Sequence, residues 1–222
     1  MILLGIDLIL VAFIFYGMTY TTTTCFLYTW LLTIGSGLCL SSVFVKSYRI
    51  FRIFRNVEAK AILISDKALF YFTISVLVIE IGLLSIYSFV SGLLGPEVIQ
   101  STNDLYYKYR ICQVPSDAIQ LAFTILIYSF NAFILISVAL LAFLTRKIDN
   151  SYSEAKSMAY AVYCTLLFQI IFLPLVYTST DSTDSAMTRY VITGIIILCT
   201  SYMIIIFLFS SKIYELIKSK RK

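Results

Sequence analysis

Six apolar stretches, each of about 20 residues or more, alternate along the chain with short polar connections, and about 20 is the number a helix needs to cross the hydrocarbon of a bilayer. They predict spans near residues 1–20, 26–45, 68–94, 118–144, 158–177 and 190–210. The apolar runs are continuous, as at residues 195–199 and 203–209. A membrane-spanning barrel would instead alternate apolar and polar positions with a period of two. The expected fold class is therefore all-α, a polytopic membrane helix bundle with six spans. The first stretch has no basic start and no small-residue cleavage site, and it carries Asp7, so it reads as a span and not as a signal peptide. Its apolar residues begin at position 2, which suggests that the chain opens inside a helix.

Composition supports this pattern. Of the 222 residues 60% are hydrophobic and only 13% charged, too few charges to cover a water-soluble domain. The connections set an orientation. Lys46, Arg49, Arg52, Arg55, Lys60 and Lys67 lie between the second and third spans. Arg146, Lys147 and Lys156 lie between the fourth and fifth, and five more basic residues follow the sixth. Fourteen of the 17 basic residues thus share one side. By the positive-inside rule that side is the cytoplasm, with both ends of this chain facing it. Residues 213–222 read as a basic cytoplasmic tail.

Chemistry-bearing residues are sparse. There is no histidine, which removes the commonest metal ligand and general base. No enzyme activity, metal, cofactor or nucleic-acid partner is expected. Cys25, at the outer end of the second span, and Cys112, in the long outer connection, both face the oxidising side, where a disulfide persists. Cys39, Cys164 and Cys199 lie within spans and read as packing residues. Asp7 and Glu80 are acids placed at membrane depth, and Asn131 is the clearest amide there. With no mid-span Lys, Arg or His to pair with, interhelical hydrogen bonding is their expected role. Gly35, Gly37 and Ser41 make the second span narrow enough for the centre of a bundle. Pro174 predicts a kink in the fifth.

Two cytoplasmic features each carry two readings. Lys46, Arg49, Arg52 and Arg55 recur every third residue with Ile and Phe between them, a basic stripe that drifts slowly round a helix. It reads either as a snorkelling collar at the lipid headgroups or as a docking surface for a cytoplasmic partner. Glu154 opens the fifth span at the level where Lys46 closes the second. The two either form a partly desolvated salt bridge or remain separately solvated.

Several strings resemble a known family. Thr29-Trp30-Leu31-Leu32-Thr33-Ile34-Gly35, Lys46-Ser47-Tyr48-Arg49-Ile50 and Ile53-Phe54-Arg55-Asn56-Val57 are similar to the third helix and second intracellular loop of class C G-protein-coupled receptors, with the GABA type B branch nearest. Asp66-Lys67, Ile79-Glu80 and Tyr87 fit the fourth helix. Thr145-Arg146-Lys147 closes the fifth helix as in the family. Glu154-Ala155-Lys156 through Val162-Tyr163 resembles the start of the sixth, and Thr200-Ser201-Tyr202 with Phe209-Ser210-Ser211-Lys212 the seventh. Residues 1–212 thus resemble helices two to seven of the seven-helix domain, which implies that the first helix and the large extracellular ligand domain lie outside this sequence. Ser211 stands where the family has proline, and Tyr48 and Tyr87 where it has tryptophan, marking a distant relative.

The resemblance implies a Cys25–Cys112 loop disulfide and a Lys46–Glu154 ionic lock holding the inactive state. Arg49, Arg52, Arg55 and Asn56 would face a heterotrimeric G protein. It further implies a plasma-membrane receptor acting as a homo- or heterodimer. The alternatives are a transporter or channel subunit, or a non-signalling partner subunit of a receptor dimer. No internal repeat or mid-span charge pair favours transport.

Overall fold

The computed structural model describes residues 1–17, 21–55, 66–90, 95–100, 108–113, 117–145, 153–178, 191–206 and 209. Among the described residues six helices follow one another: α1 (Ile2–Gly17), α2 (Thr22–Arg55), α3 (Asp66–Val90), α4 (Asp117–Thr145), α5 (Ser153–Thr178) and α6 (Val191–Ile206). Among the described residues, Thr22–Arg52, Lys67–Val90 and Leu121–Leu144 are long and apolar enough to cross a membrane, and α1 and α6 are shorter apolar helices. The molecule is a helical membrane bundle, as the hydropathy pattern predicts.

α2 is the organising element. It starts earlier than its apolar run because Thr21 and Thr24 cap it reciprocally. The Thr21 amide donates to Thr24 Oγ1 at 2.7 Å, and the Thr24 amide donates back to Thr21 Oγ1 at 3.2 Å. Two otherwise orphaned donors at the helix start are thereby satisfied. The helix then runs 34 residues to Arg55, about 51 Å at 1.5 Å per residue and well beyond the ~30 Å of hydrocarbon. Along it Thr29, Thr33, Ser36 and Ser41 turn their hydroxyls onto carbonyls three or four residues back. Those four hydroxyls are therefore paired within the helix itself.

Around α2 pack α1, α3, α4 and α5. The α1 contact is backbone against backbone: a Cβ on Gly5 would lie 2.9 Å from both the Cys39 amide nitrogen and the Gly35 carbonyl oxygen. Small residues on both helices allow this approach, which dispersion alone then stabilises. Ile2, Ile6 and Cys39 form one buried cluster with Val43, Ile204 and Ile205 against it. On the other flank Val76, Ile134, Leu135, Val138 and Val162 join α3, α4 and α5, with Leu40 and Phe44 of α2 packed on them. α6 meets α1 where the Phe13 ring lies against Gly194. The outward faces carry exposed Ile, Leu, Phe and Val, as a lipid-facing surface requires.

The connection between α3 and α4 holds a feature the sequence pattern did not disclose. β1 (Gly95–Gln100) and β2 (Lys108–Gln113) pair antiparallel, with Pro96 opposite Cys112, and β1 abuts α2. Outside the hydrocarbon a hairpin satisfies its own backbone groups, and Pro96, which lacks an amide proton, stands near its open end. α5 runs through Pro174 to Thr178 without ending there.

Candidate functional site

The chemistry-bearing residues gather at three levels along α2. Near its amino-terminal end Cys25 is fully buried and disulfide-bonded, whereas Cys39, Cys164 and Cys199 are free thiols. The Cys112 side chain lies outside the described residues. One turn further in, Trp30 Nε1 donates to Ser88 Oγ of α3 at 3.3 Å. Tyr16 of α1 stacks on Tyr28 with ring centroids 4.7 Å apart.

At mid-depth Gly37 of α2 leaves a notch that the Glu80 carboxyl of α3 fills. A Cβ at position 37 would overlap both Glu80 oxygens. Glu80 is only 1% exposed, and Asn131 of α4 is the polar side chain that approaches it. Asn131 Nδ2 donates to the Ile127 carbonyl at 3.1 Å. Its Oδ1 and both Glu80 oxygens have no hydrogen-bond partner among the described residues. Glu80 and Asn131 thus lie near each other at one level of the bundle. Asp7 behaves differently: it is exposed on α1. It lies two residues from Gly5, about 200° round the helix from the face that meets α2.

At the cytoplasmic level, as charge bias assigns it, two faces of α2 diverge. Phe44, Tyr48 and Arg52 recur at four-residue spacing on one face. Phe72 of α3 stacks on Phe44 at 4.7 Å, Phe44 lies parallel to Tyr48 at 6.0 Å, and the Arg52 guanidinium sits 6.0 Å over the Tyr48 ring. This ladder holds Arg52 beyond the end of the apolar run, half-buried and with no hydrogen-bond partner for Nε among the described residues. Cation–π stacking favours Arg here over a freely moving cation. The sequence reading missed the ladder, although the spacing of 44, 48 and 52 was its available signal.

The second face carries Ser42, Lys46 and Arg49, which line a cavity of about 460 Å³ between α1, α2 and α3. Lys46 is half-buried and Arg49 exposed. Glu154 is the second residue of α5, but its side chain lies outside the described residues, as does that of Arg55; Asn56 lies wholly outside them.

The bundle is thus one of membrane helices packed round a long central helix with a basic, aromatic-braced end. Residues 1–212 match the family model described as "7 transmembrane sweet-taste receptor of 3 GCPR". Metabotropic glutamate receptor-like protein F of Dictyostelium discoideum is 27% identical over 218 residues, covering 98% of this chain and 28% of that protein. Metabotropic glutamate receptor-like protein C of the same organism is 31% identical over 182 residues, 80% of this chain and 22% of that protein. The chain belongs to the class C G-protein-coupled receptor family, as the resemblance of its motifs implies. It spans about a quarter of the length of these relatives.

Proposed function

We propose that this chain is the transmembrane signalling core of a GABA type B-like class C receptor, which passes the state of an extracellular ligand domain to a heterotrimeric G protein. The observation that carries this reading is the course of α2. It touches four other helices and extends past Val45 as a continuous helix to Arg55, with Arg52 braced on Tyr48. A tilt or rotation imposed at its outer end would reach the basic cytoplasmic end through a rigid element. Lipid surrounds the bundle in the plasma membrane, the ends of this chain face the cytoplasm, and the receptor acts as a homo- or heterodimer.

Two devices belong to this reading. The first is a Cys25–Cys112 disulfide. Cys25 is disulfide-bonded, and β1, whose Pro96 pairs with Cys112, lies against α2. Such a bridge would tether the hairpin to the outer end of α2. The second is the Lys46–Glu154 ionic lock. Cys39 of α2 and Ala161 of α5 line one small cavity. Lys46 and Glu154 each lie seven residues from those positions, two helical turns, about 10 Å along the axis. Two turns restore the same helix face, which supports the pair meeting at the cytoplasmic end.

A partly buried ion pair biases a two-state equilibrium by about 1–3 kcal/mol, or about 5–150-fold. Membranes expressing the chain are mixed with purified heterotrimeric G protein and GTPγS uptake is followed. Lys46→Glu is expected to raise basal exchange several-fold, and adding Glu154→Lys to restore the parent rate. A parent-like rate for Lys46→Glu, or an unrestored double variant, refutes the lock. Uptake no greater than with empty membranes in every variant refutes G-protein coupling.

A further inference from the structure

We propose that the outward stripe of α1 formed by Leu4, Asp7, Val11 and Ile14 is the surface on which a second copy of this chain docks, the two Asp7 carboxyls hydrogen-bonding to each other across the contact. This rests on the reading above for the association of two copies, and gives that association a surface.

Asp7 sets the problem that such a contact solves. A Cβ on Gly5 would meet the Gly35 carbonyl oxygen, and one on Gly35 would meet Ile9. Asp7, between Gly5 and Ile9, therefore lies level with Gly35. Gly35 stands midway along the apolar stretch 26–45, about 15 Å from either end at 1.5 Å per residue, or half of the ~30 Å of hydrocarbon. An aspartate has a single methylene below its carboxyl and cannot snorkel over that distance as a lysine stem does. Exposed Ser75, Ser85 and Ser129 of α3 and α4 each donate to a carbonyl of their own helix. Asp7 is exposed too, but it has no hydrogen-bond or ion-pair partner among the described residues. An acid open to the middle of a bilayer is costly, and such groups pair with one another or face a protein neighbour.

The surroundings of Asp7 select a second copy as the neighbour. Leu4, Val11 and Ile14 are all exposed. With Asp7 they stand at i, i+3, i+7 and i+10, the a and d spacing on which parallel helices supercoil. Gly5 faces α2, and Ile2, Ile6 and Phe13 face α6, so the stripe lies on the remaining side of α1. Two copies inserted in the same sense are related by a two-fold axis along the membrane normal, which sets each residue of such a seam beside its own counterpart. Asp7 then meets a carboxyl at its own depth. In the acid form two carboxyls are self-complementary, each O–H donating to the carbonyl oxygen of the other. Lipid tails offer neither donor nor acceptor. The apolar stretches of this chain carry no Lys, Arg or His at mid-span, so docking α1 on any other face of a copy would give Asp7 no counter-charge.

The test is energy transfer between donor-labelled and acceptor-labelled samples of the purified full chain in phosphatidylcholine vesicles, diluted stepwise with lipid. The parent is expected to show transfer that falls on dilution as a dimer dissociates. Asp7→Leu is expected to weaken association about tenfold, and Asp7→Asn, whose amide is also self-complementary, to stay within about threefold of the parent. Asp7→Leu alters an outward position, and a thermal melt verifies that each variant folds. Under copper-catalysed oxidation Val11→Cys is expected to cross-link to its counterpart several-fold more than Leu140→Cys, at an exposed position of α4. A parent that is monomeric at every dilution means that lipid or a different polypeptide covers the stripe, which overturns the proposal. Association unchanged in Asp7→Leu, or cross-linking of Val11→Cys no greater than that of Leu140→Cys, also overturns it, because the copies then meet through another face. No G protein enters this assay, so its failure is distinct from failure of the GTPγS assay.

Discussion

Gly37→Ala tests whether the Glu80 carboxyl occupies the notch in α2. In an exposed helix interior, Gly→Ala stabilises by up to about 1 kcal/mol through propensity. At position 37 the new methyl would overlap the Glu80 carboxyl. Glu80 is almost fully buried between α2 and α3, so its carboxyl has no solvent to retreat into and a neighbouring side chain must shift. Overpacking of this kind costs about 1–3 kcal/mol. The net effect is a loss of up to about 2 kcal/mol. At about 2–4 °C per kcal/mol for a chain of this size, the melting temperature falls by up to about 8 °C.

Two comparisons separate this from a general intolerance of substitution. At Gly82 a Cβ meets nothing within 4 Å, so Gly82→Ala keeps only the propensity gain and raises the melting temperature by up to about 4 °C. In a Glu80→Ala background the notch is empty, and Gly37→Ala changes sign from destabilising to stabilising. The coupling between the two positions is then about 1–3 kcal/mol. Melting is followed in detergent with a thiol-reactive dye, for which the free Cys39, Cys164 and Cys199 serve as reporters. If Gly37→Ala melts like the parent, or if its cost persists unchanged with Glu80→Ala, the notch is not where the carboxyl sits.

Gly5→Ala should cost more than Gly37→Ala, because its methyl meets the backbones of Gly35 and Cys39, which yield only if the helices separate; the same melt ranks the two. Trp30→Phe removes one 3.3 Å hydrogen bond to Ser88 and is expected to cost about 0.5–1.5 kcal/mol, with Ser88→Ala in its background adding almost nothing. Cys25→Ser should lower stability by about 2–4 kcal/mol under oxidising conditions, and reductant should bring the parent down to the same melting temperature. Arg52→Ala, which removes the cation over Tyr48, should reduce G-protein exchange more than Arg52→Lys does, measured by GTPγS uptake at equal surface expression.

How much of this was legible in the sequence depended on whether a feature is periodic and local or relational. The spans were legible because crossing a bilayer imposes a length and a composition on each helix separately. The central place of α2 was legible too, since Gly35, Gly37 and Ser41 only make sense where other helices approach closely. Glu80 and Asn131 could be named as polar residues at membrane depth, but that they meet across α3 and α4 depends on helix rotation, which composition does not encode. Asp7 shows the same limit from the other side. Its depth matches a polar-network residue, yet its angle about α1, set by Gly5 facing α2, turns it outward. The capping of α2 by Thr21 and Thr24 moved its start to Thr22, so the threonine tract that reads as a loop is a helix signal, with Thr24 in the place usually held by Glu. The hairpin escaped notice because pairing β1 with β2 is a property of two segments together, and neither six-residue strand is apolar enough to announce itself alone. The same reasoning separates the two faces of α2 near its carboxyl-terminal end. A stripe of Lys46, Arg49 and Arg52 looks uniform in sequence, but the 100° step per residue assigns Arg52 to the aromatic ladder and Lys46 with Arg49 to the cavity. Basic residues that composition would count as one collar are thus divided by geometry between two environments, one braced by rings and one lining a cavity.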